Sequence, residues 1–298
     1  MKRAIAFLVV TGIAVAALYL AQRRAQSPGV SSNAIVDVAA DVQRDITRVP
    51  MRVTRMSDTE EIDVGNELAS KYVNESGKLS PLELALQRYV TQVGGRVALH
   101  AKRKLPFKFH IIPSHDLINA FALPGGHIFV GEGLLDIMMS EDELASVLSH
   151  EIEHVDHYHC AERVQIEAQS RKLHLGVLGE LAQLPIALWQ AGYSKDQEME
   201  ADREGMMLAV SASYSPYGSV KLFERFSRME QEYVIHARTP EQELSQLAVQ
   251  GLAGYFRSHP PTSERLAQAN QVIIDQKWQD RKPLKPFRVA YDSNPAAQ

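Results

Sequence analysis

Residues 150–154 read His-Glu-Ile-Glu-His, and they follow Leu144, Val147 and Leu148, apolar positions three and four apart. That period belongs to a helix. Ser140 with Glu143 supplies its start, because a hydroxyl and a carboxylate at this spacing satisfy the free backbone N–H groups of a first turn. On a helix, side chains four apart stand one above the other on the same face, so His150 and His154 can converge on a single cation. Two imidazoles suit zinc, and a catalytic zinc needs three protein ligands and an open position. The fold must therefore bring another donor to this helix. Glu151 sits about 100° around from His150, placed to meet a water at the ion and act as general base and then acid.

The third donor is not found downstream on the same segment. His157 lies a further turn along a straight helix, and His159 and Cys160 point off the face, which makes them packing or surface residues. No glycine follows His154 at the interval needed to bend the chain back and return a third histidine. A later helix, opened by Ser194 with Gln197, carries Glu198-Met199-Glu200-Ala201-Asp202. Glu198 and Asp202 share a face, whereas Glu200 is turned roughly 200° away and is expected in solvent. Glu198 is the expected third ligand. Asp202, one turn on, is placed to accept the second N–H of a ligating imidazole. Taken alone, two acids four apart are commonly a surface pair.

Two further helix starts, Ser57 with Glu60 and Ser80-Pro81 with Glu83, open stretches with apolar residues at helical spacing. Phe107, Phe109 and Ile111 alternate with Lys108 and His110 as in a half-buried strand, and 119–130 reads as two short strands around Pro124-Gly125-Gly126. The fold class is α+β, mostly helical with a small mixed β-sheet. No internal repeat is visible. Residues 173–189 read as a core helix, with a membrane-touching lip as the alternative. The segment after Gln276 reads as a surface strap or loose end.

Lys2 and Arg3 precede an uncharged run from Ala4 to Ala21, long enough as a helix to cross a bilayer. An uncleaved anchor is favoured over a removed signal, since 19–21 make a weak cleavage site. The expected organisation is an N-terminal segment at 1–24, a linker at 25–50, the main domain at 51–276 and a tail at 277–298. With 32 Lys and Arg against 36 Asp and Glu, the chain lacks the basic surplus that phosphate backbones attract, so nucleic acid is not an expected partner. The single cysteine cannot form an intrachain disulfide.

With these residues in view, the sequence resembles the zinc metallopeptidases that include the CAAX prenyl endopeptidases, the HtpX heat-shock proteases, the mitochondrial Oma proteases and the periplasmic BepA-like proteases. The resemblance rests on 150–154, on 198–202 with Gly205, on 119–126, and on His259-Pro260 with Arg265. It spans roughly Ser57 to Ile274 and is closest in layout to single-domain BepA-like members. It departs at Glu153, where a small residue is usual, and at Tyr158, where arginine is common.

The resemblance implies a zincin-like metalloprotease domain of gluzincin type. It implies one Zn2+ per chain held by His150, His154 and Glu198, with Glu151 catalytic. It gives the strand Asn119, Ala120, Phe121 and Ala122 the role of an exposed edge that pairs with an extended peptide. It suggests that His259 takes a fourth position on the ion and holds the enzyme latent, the alternative being a plain loop-to-helix junction. The expected function is hydrolysis of unfolded or misfolded envelope polypeptides, outer-membrane proteins among them, in the periplasm. The chain would be tethered to the inner membrane or soluble after signal cleavage. A chaperone-like module of the same fold with little proteolysis is the alternative. A prenyl-protease specialism is disfavoured, because those relatives span the membrane several times.

Overall fold

The computed structural model describes residues 56–75, 79–170, 192–236, 262–281 and 283–287, all within the compact unit Pro50–Gln298. The N-terminal run, the linker, 173–189 and His259 lie outside the described residues. Among the described residues there are eight helices and three strands. In chain order they are α1 (Asp58–Glu75), α2 (Pro81–Ala98), β1 (Lys108–Ile112), β2 (Ala120–Ala122), β3 (His127–Gly131), α3 (Glu132–Asp136), α4 (Glu141–Asp156), α5 (His159–Ser170), α6 (Lys195–Ser211), α7 (Tyr217–His236) and α8 (Thr262–Asp275). None of these helices is long and apolar enough to cross a membrane.

Each serine signature starts a helix. Ser57 Oγ accepts from Glu60 N at 3.3 Å, while Glu60 returns to Ser57 N at 2.8 Å. Ser80 and Glu83 close the same box before α2, as do Ser194 and Gln197 before α6. Before α4 only half of it forms. Ser140 takes Glu143 N, but the Glu143 carboxylate turns to Met139 N at 2.9 Å and Arg225 at 2.9 Å.

The sheet is mixed, in the order β1-β3-β2. β1 runs parallel to β3, Lys108 opposite His127, and β2 runs antiparallel to it, Phe121 opposite Phe129. Between β2 and β3, Pro124–Gly126 makes one 3-10 turn in which Gly125 adopts φ 73°, a conformation open to glycine at no steric cost. Successive side chains of a strand point to opposite faces. Phe109, Ile111, Ala120, Ala122, Ile128 and Val130 accordingly join the core built with α2 and α4, while Phe121 and Phe129 meet Tyr72 of α1 on the other side.

α4 is buried from Asp142 to Asp156, an unusual environment for a helix with so many acids. Both ends are fixed by polar contacts. At the start, Asp142 accepts from Ser215 N at 2.7 Å and from Lys285 N, and Ser140 bridges Pro286. Part of the segment after Gln276 is thus a strap over this helix start. At the other end, Asp156 accepts from Lys102 N at 2.6 Å and Arg103 N at 3.1 Å, and the Arg103 guanidinium reaches Val155 O at 2.8 Å.

Candidate metal centre

α4 and α6 pack side by side, and Gly205 sets how closely. A Cβ added there would stand 3.0 Å from His150 N and 3.2 Å from its Cα, tighter than helix backbones ordinarily allow. This approach brings Glu198 against the two histidines. His150 Nε2 lies 3.0 Å from His154 Nε2, and the Glu198 carboxylate oxygens lie 3.4 Å from His150 Nε2 and 3.5 Å from His154 Nε2. Ligands at about 2.0–2.1 Å from a tetrahedral zinc stand about 3.4 Å apart, so these donors fit one ion with little movement. All three are buried, His154 completely. His150, His154 and Glu198 therefore form a group that could hold a metal.

Contacts behind the ion-facing atoms orient both rings. His150 Nδ1 lies 2.9 Å from Asp202, which Arg265 of α8 grips with two hydrogen bonds of 2.6 Å. Burial works against charge on Asp202, but the Arg265 guanidinium and the His150 ring hold its carboxyl down at about 2. Burial also disfavours charge on His150, yet Asp202 and Glu198 outweigh it and push the ring up to about 10. His154 goes the other way, well below the usual imidazole range, through burial and the neighbouring His150. The pair facing the carboxylates attracts a cation, and without a metal that cation is a proton held on His150.

The second brace is a correction to the sequence reading. His159 does not point away from the site. α4 stops at Asp156, Tyr158 takes φ 63° with the Arg103 guanidinium 3.8 Å over its ring, and α5 begins at His159. The break turns His159 inward, buried, with its Nδ1 2.9 Å from His154 Nδ1 and its Nε2 3.4 Å from Glu200. Glu200 is only partly in solvent, since it also meets His157 Nδ1 at 3.5 Å. No glycine or proline marks the break, so sequence reasoning carried the helix straight through it. Tyr193, also missed, stacks on His154 with ring centres 3.9 Å apart. Its hydroxyl meets Cys160 Sγ at 3.2 Å, and burial pushes that thiol up to about 12, leaving it inert.

Glu151 is buried on α4, at 1% exposure. β2 forms the sheet edge beside α4, but it is not the exposed strand the sequence suggests: Ala120 and Ala122 are each 1% exposed. Leu123 N donates to His127 O and Gly131 N to Asn119 O, which turns the odd-numbered peptides toward β3 and those of Ala120 and Ala122 to the outer edge. There Asn119 Oδ1 accepts from Ala120 N at 3.0 Å and the Cys160 thiol reaches Ala122 O at 3.6 Å.

Comparison with known proteins agrees with this geometry. The chain is 29% identical over 213 residues to the beta-barrel assembly-enhancing protease of Escherichia coli (strain K12), covering 62% of this chain and 43% of that protein. It is 34% identical over 176 residues to the mitochondrial metalloendopeptidase OMA1 of Schizosaccharomyces pombe, covering 56% and 51%. With the E. coli metalloprotease YcaL the identity is 29% over 231 residues, covering 73% and 77%. The chain thus spans about half of the first two relatives and about three quarters of the third. The family model described as Peptidase family M48 matches residues 84–273, which contain every residue of the buried centre, and the chain belongs to that family.

Proposed function

We propose that the protein is a zinc-dependent endopeptidase that hydrolyses peptide bonds in unfolded or misfolded envelope proteins. The observation that carries this reading is the meeting of His150 Nε2, His154 Nε2 and a Glu198 carboxylate at 3.0–3.5 Å inside the protein, on the helix that bears Glu151. These three residues would hold the ion. Zinc, when bound, supplies a Lewis acid that polarises a carbonyl and acidifies water. Glu151 takes the proton from the attacking water and delivers it to the departing amine. Asp202, fixed by Arg265, and His159 orient the two rings so that Nε2 of each faces the ion.

On the family resemblance, the outer edge of β2 would pair with an extended chain once Asn119 Oδ1 and the Cys160 thiol release Ala120 N and Ala122 O. Such pairing reads little side-chain identity and suits substrates that have lost their fold. The N-terminal apolar run would place this activity in the periplasm at the inner membrane. On the family resemblance alone, His259 would restrain cleavage; His259→Ala should then raise the rate, and an unchanged or lower rate removes that role.

The central test is Glu151→Gln in the purified full chain. Casein cleavage should fall by about 10²–10⁴-fold or more while zinc content stays at the wild-type level. Cleavage surviving at the wild-type rate would falsify the role of Glu151.

A further inference from the structure

Between α4 and α5 the chain takes one step that its side chain does not favour. Tyr158 has φ 63°, in the left-handed region where a bulky residue is seldom found. The consequence falls on the next residue. His159 stands five positions beyond His154, so in a helix run straight on it would lie roughly 140° around the axis from that ring. The left-handed step instead opens α5 at His159, Tyr158 O accepting from Glu162 N at 2.9 Å, and sets His159 Nδ1 2.9 Å from His154 Nδ1. When His154 Nε2 is on the ion, its Nδ1 keeps the ring proton and donates to His159 Nδ1. His159 then carries its own proton on Nε2, toward Glu200. His159 is thereby the acceptor that orients the His154 ring.

The hold on Tyr158 comes from outside the break. The Arg103 guanidinium lies 3.8 Å over the Tyr158 ring. Its Nη1 donates to Val155 O at 2.8 Å, the same carbonyl that accepts from Tyr158 N at 3.0 Å. The guanidinium is fixed in turn. Glu61 of α1 accepts from both of its terminal nitrogens, at 3.2 and 2.6 Å, and Asp58 accepts at 2.6 Å. Glu61 and Arg103 are buried, and a two-pronged charged pair sets the plane of the guanidinium as well as its place. Arg103 N and Lys102 N also bind the carboxylate of Asp156, the last residue of α4.

We infer that Arg103 is a positioning residue for the metal centre: it holds Tyr158 left-handed, which keeps His159 against His154, and so sets how tightly the three donors hold their ion. The inference rests on the reading of His150, His154 and Glu198 as zinc ligands. It asks of Arg103 only that residue 158 stay left-handed. A glycine there adopts that conformation freely, and should make Arg103 dispensable for the ion.

The test measures zinc affinity of the purified full chain by competition with a chromogenic chelator, together with the visible absorption of the Co2+-loaded protein. Circular dichroism confirms that each variant is folded. His159→Phe removes the acceptor itself and gives the reference loss, about 10–100-fold. Tyr158→Val leaves the Arg103–Glu61 pair intact but carries a β-branched side chain that resists the left-handed region. It should lose zinc affinity by a similar factor, with an altered cobalt spectrum. Arg103→Gln combined with Glu61→Gln, which leaves no charge of that pair buried alone, should lose about 10-fold. Adding Tyr158→Gly to these two should restore both the cobalt spectrum and an affinity within about twofold of wild type. Tyr158→Val with wild-type affinity and an unchanged spectrum overturns the inference, because the left-handed step would then not govern His159. So does a triple variant as weak as the Arg103→Gln, Glu61→Gln pair, since a loss that glycine cannot repair is general damage to the fold. Glu198→Gln binding zinc as tightly as wild type overturns the metal-centre reading and the inference with it. A loss in Glu198→Gln with none in Tyr158→Val overturns the inference alone.

Discussion

Two pairs of histidines among the described residues, one part-buried and one buried, meet nitrogen to nitrogen at the same distance and differ in whether a ring of the pair holds positive charge. On the sheet, His110 Nε2 lies 3.0 Å from His127 Nδ1, with the rings stacked at 5.2 Å and 5°. The neighbours are the Asn66 amide, 3.0 Å from His127 Nε2, and the Lys108 ammonium. Burial, helped by Lys108, holds both rings at about 4. Between α4 and α6, His150 and His154 are also 3.0 Å apart, but Glu198 and Asp202 face them, and His150 is raised to about 10. Burial alone turns a histidine into a neutral packing group; burial between two carboxylates, as at His150, turns it into a receptor for positive charge, while His154 beside it stays neutral.

The largest way to break that contrast is to remove the carboxylate between the rings. Glu198→Gln should weaken zinc binding by more than about 100-fold, beyond the 10–100-fold expected for a residue that only orients a ligand, and cleavage should fall to background. Competition with a chromogenic chelator measures it. Asp202→Asn should cost about 10–100-fold in zinc affinity, since Asp202 acts through the His150 ring. Gly205→Ala comes next. Its methyl must push α4 and α6 apart by a few tenths of an ångström, which should weaken zinc binding several-fold while leaving the helix content unchanged. His127→Asn should leave zinc affinity unchanged, as the sheet pair faces α1 rather than the ion.

Acid and alkali sharpen the same comparison in metal-free protein. The sheet histidines have folded values of about 4 against an ordinary 6.5, so the unfolded chain binds more protons between these limits. Their contribution is complete above pH 6.5 and is lost as the pH falls toward 4. His150 is raised from 6.5 to about 10, so the folded chain binds more protons in that range. Its contribution is complete below pH 6.5 and is lost as the pH rises through 10. Urea unfolding across pH should lose its acid slope from this source in His127→Asn and its alkaline slope in His150→Gln.

Much of the centre was legible because its signals are local. A separation of four positions from His150 to His154, and of four from Glu198 to Asp202, fixes which side chains share a helix face before any packing occurs. The serine boxes place the starts of α1, α2, α4 and α6 by contacts within one turn. His159 was not legible. Its direction depends on the left-handed Tyr158, and that residue is held by Arg103 from a loop more than fifty residues earlier in the chain. The same holds for β2, whose place at a sheet edge could be read although its burial could not.

The sequence by itself determined the helices α1, α2, α4 and α6, the small mixed sheet, the faces of α4 and α6 that carry the donors, and the order of the motifs, because each follows from periodicity and spacing within about ten residues. Only the tertiary structure decided that Arg265 clamps Asp202, that Gly205 lets two helices approach until Glu198 meets both imidazoles, and that His159 braces His154 on one side while facing Glu200 on the other. These depend on distances between segments far apart in the chain. Such distances are set by packing, which no local spacing encodes.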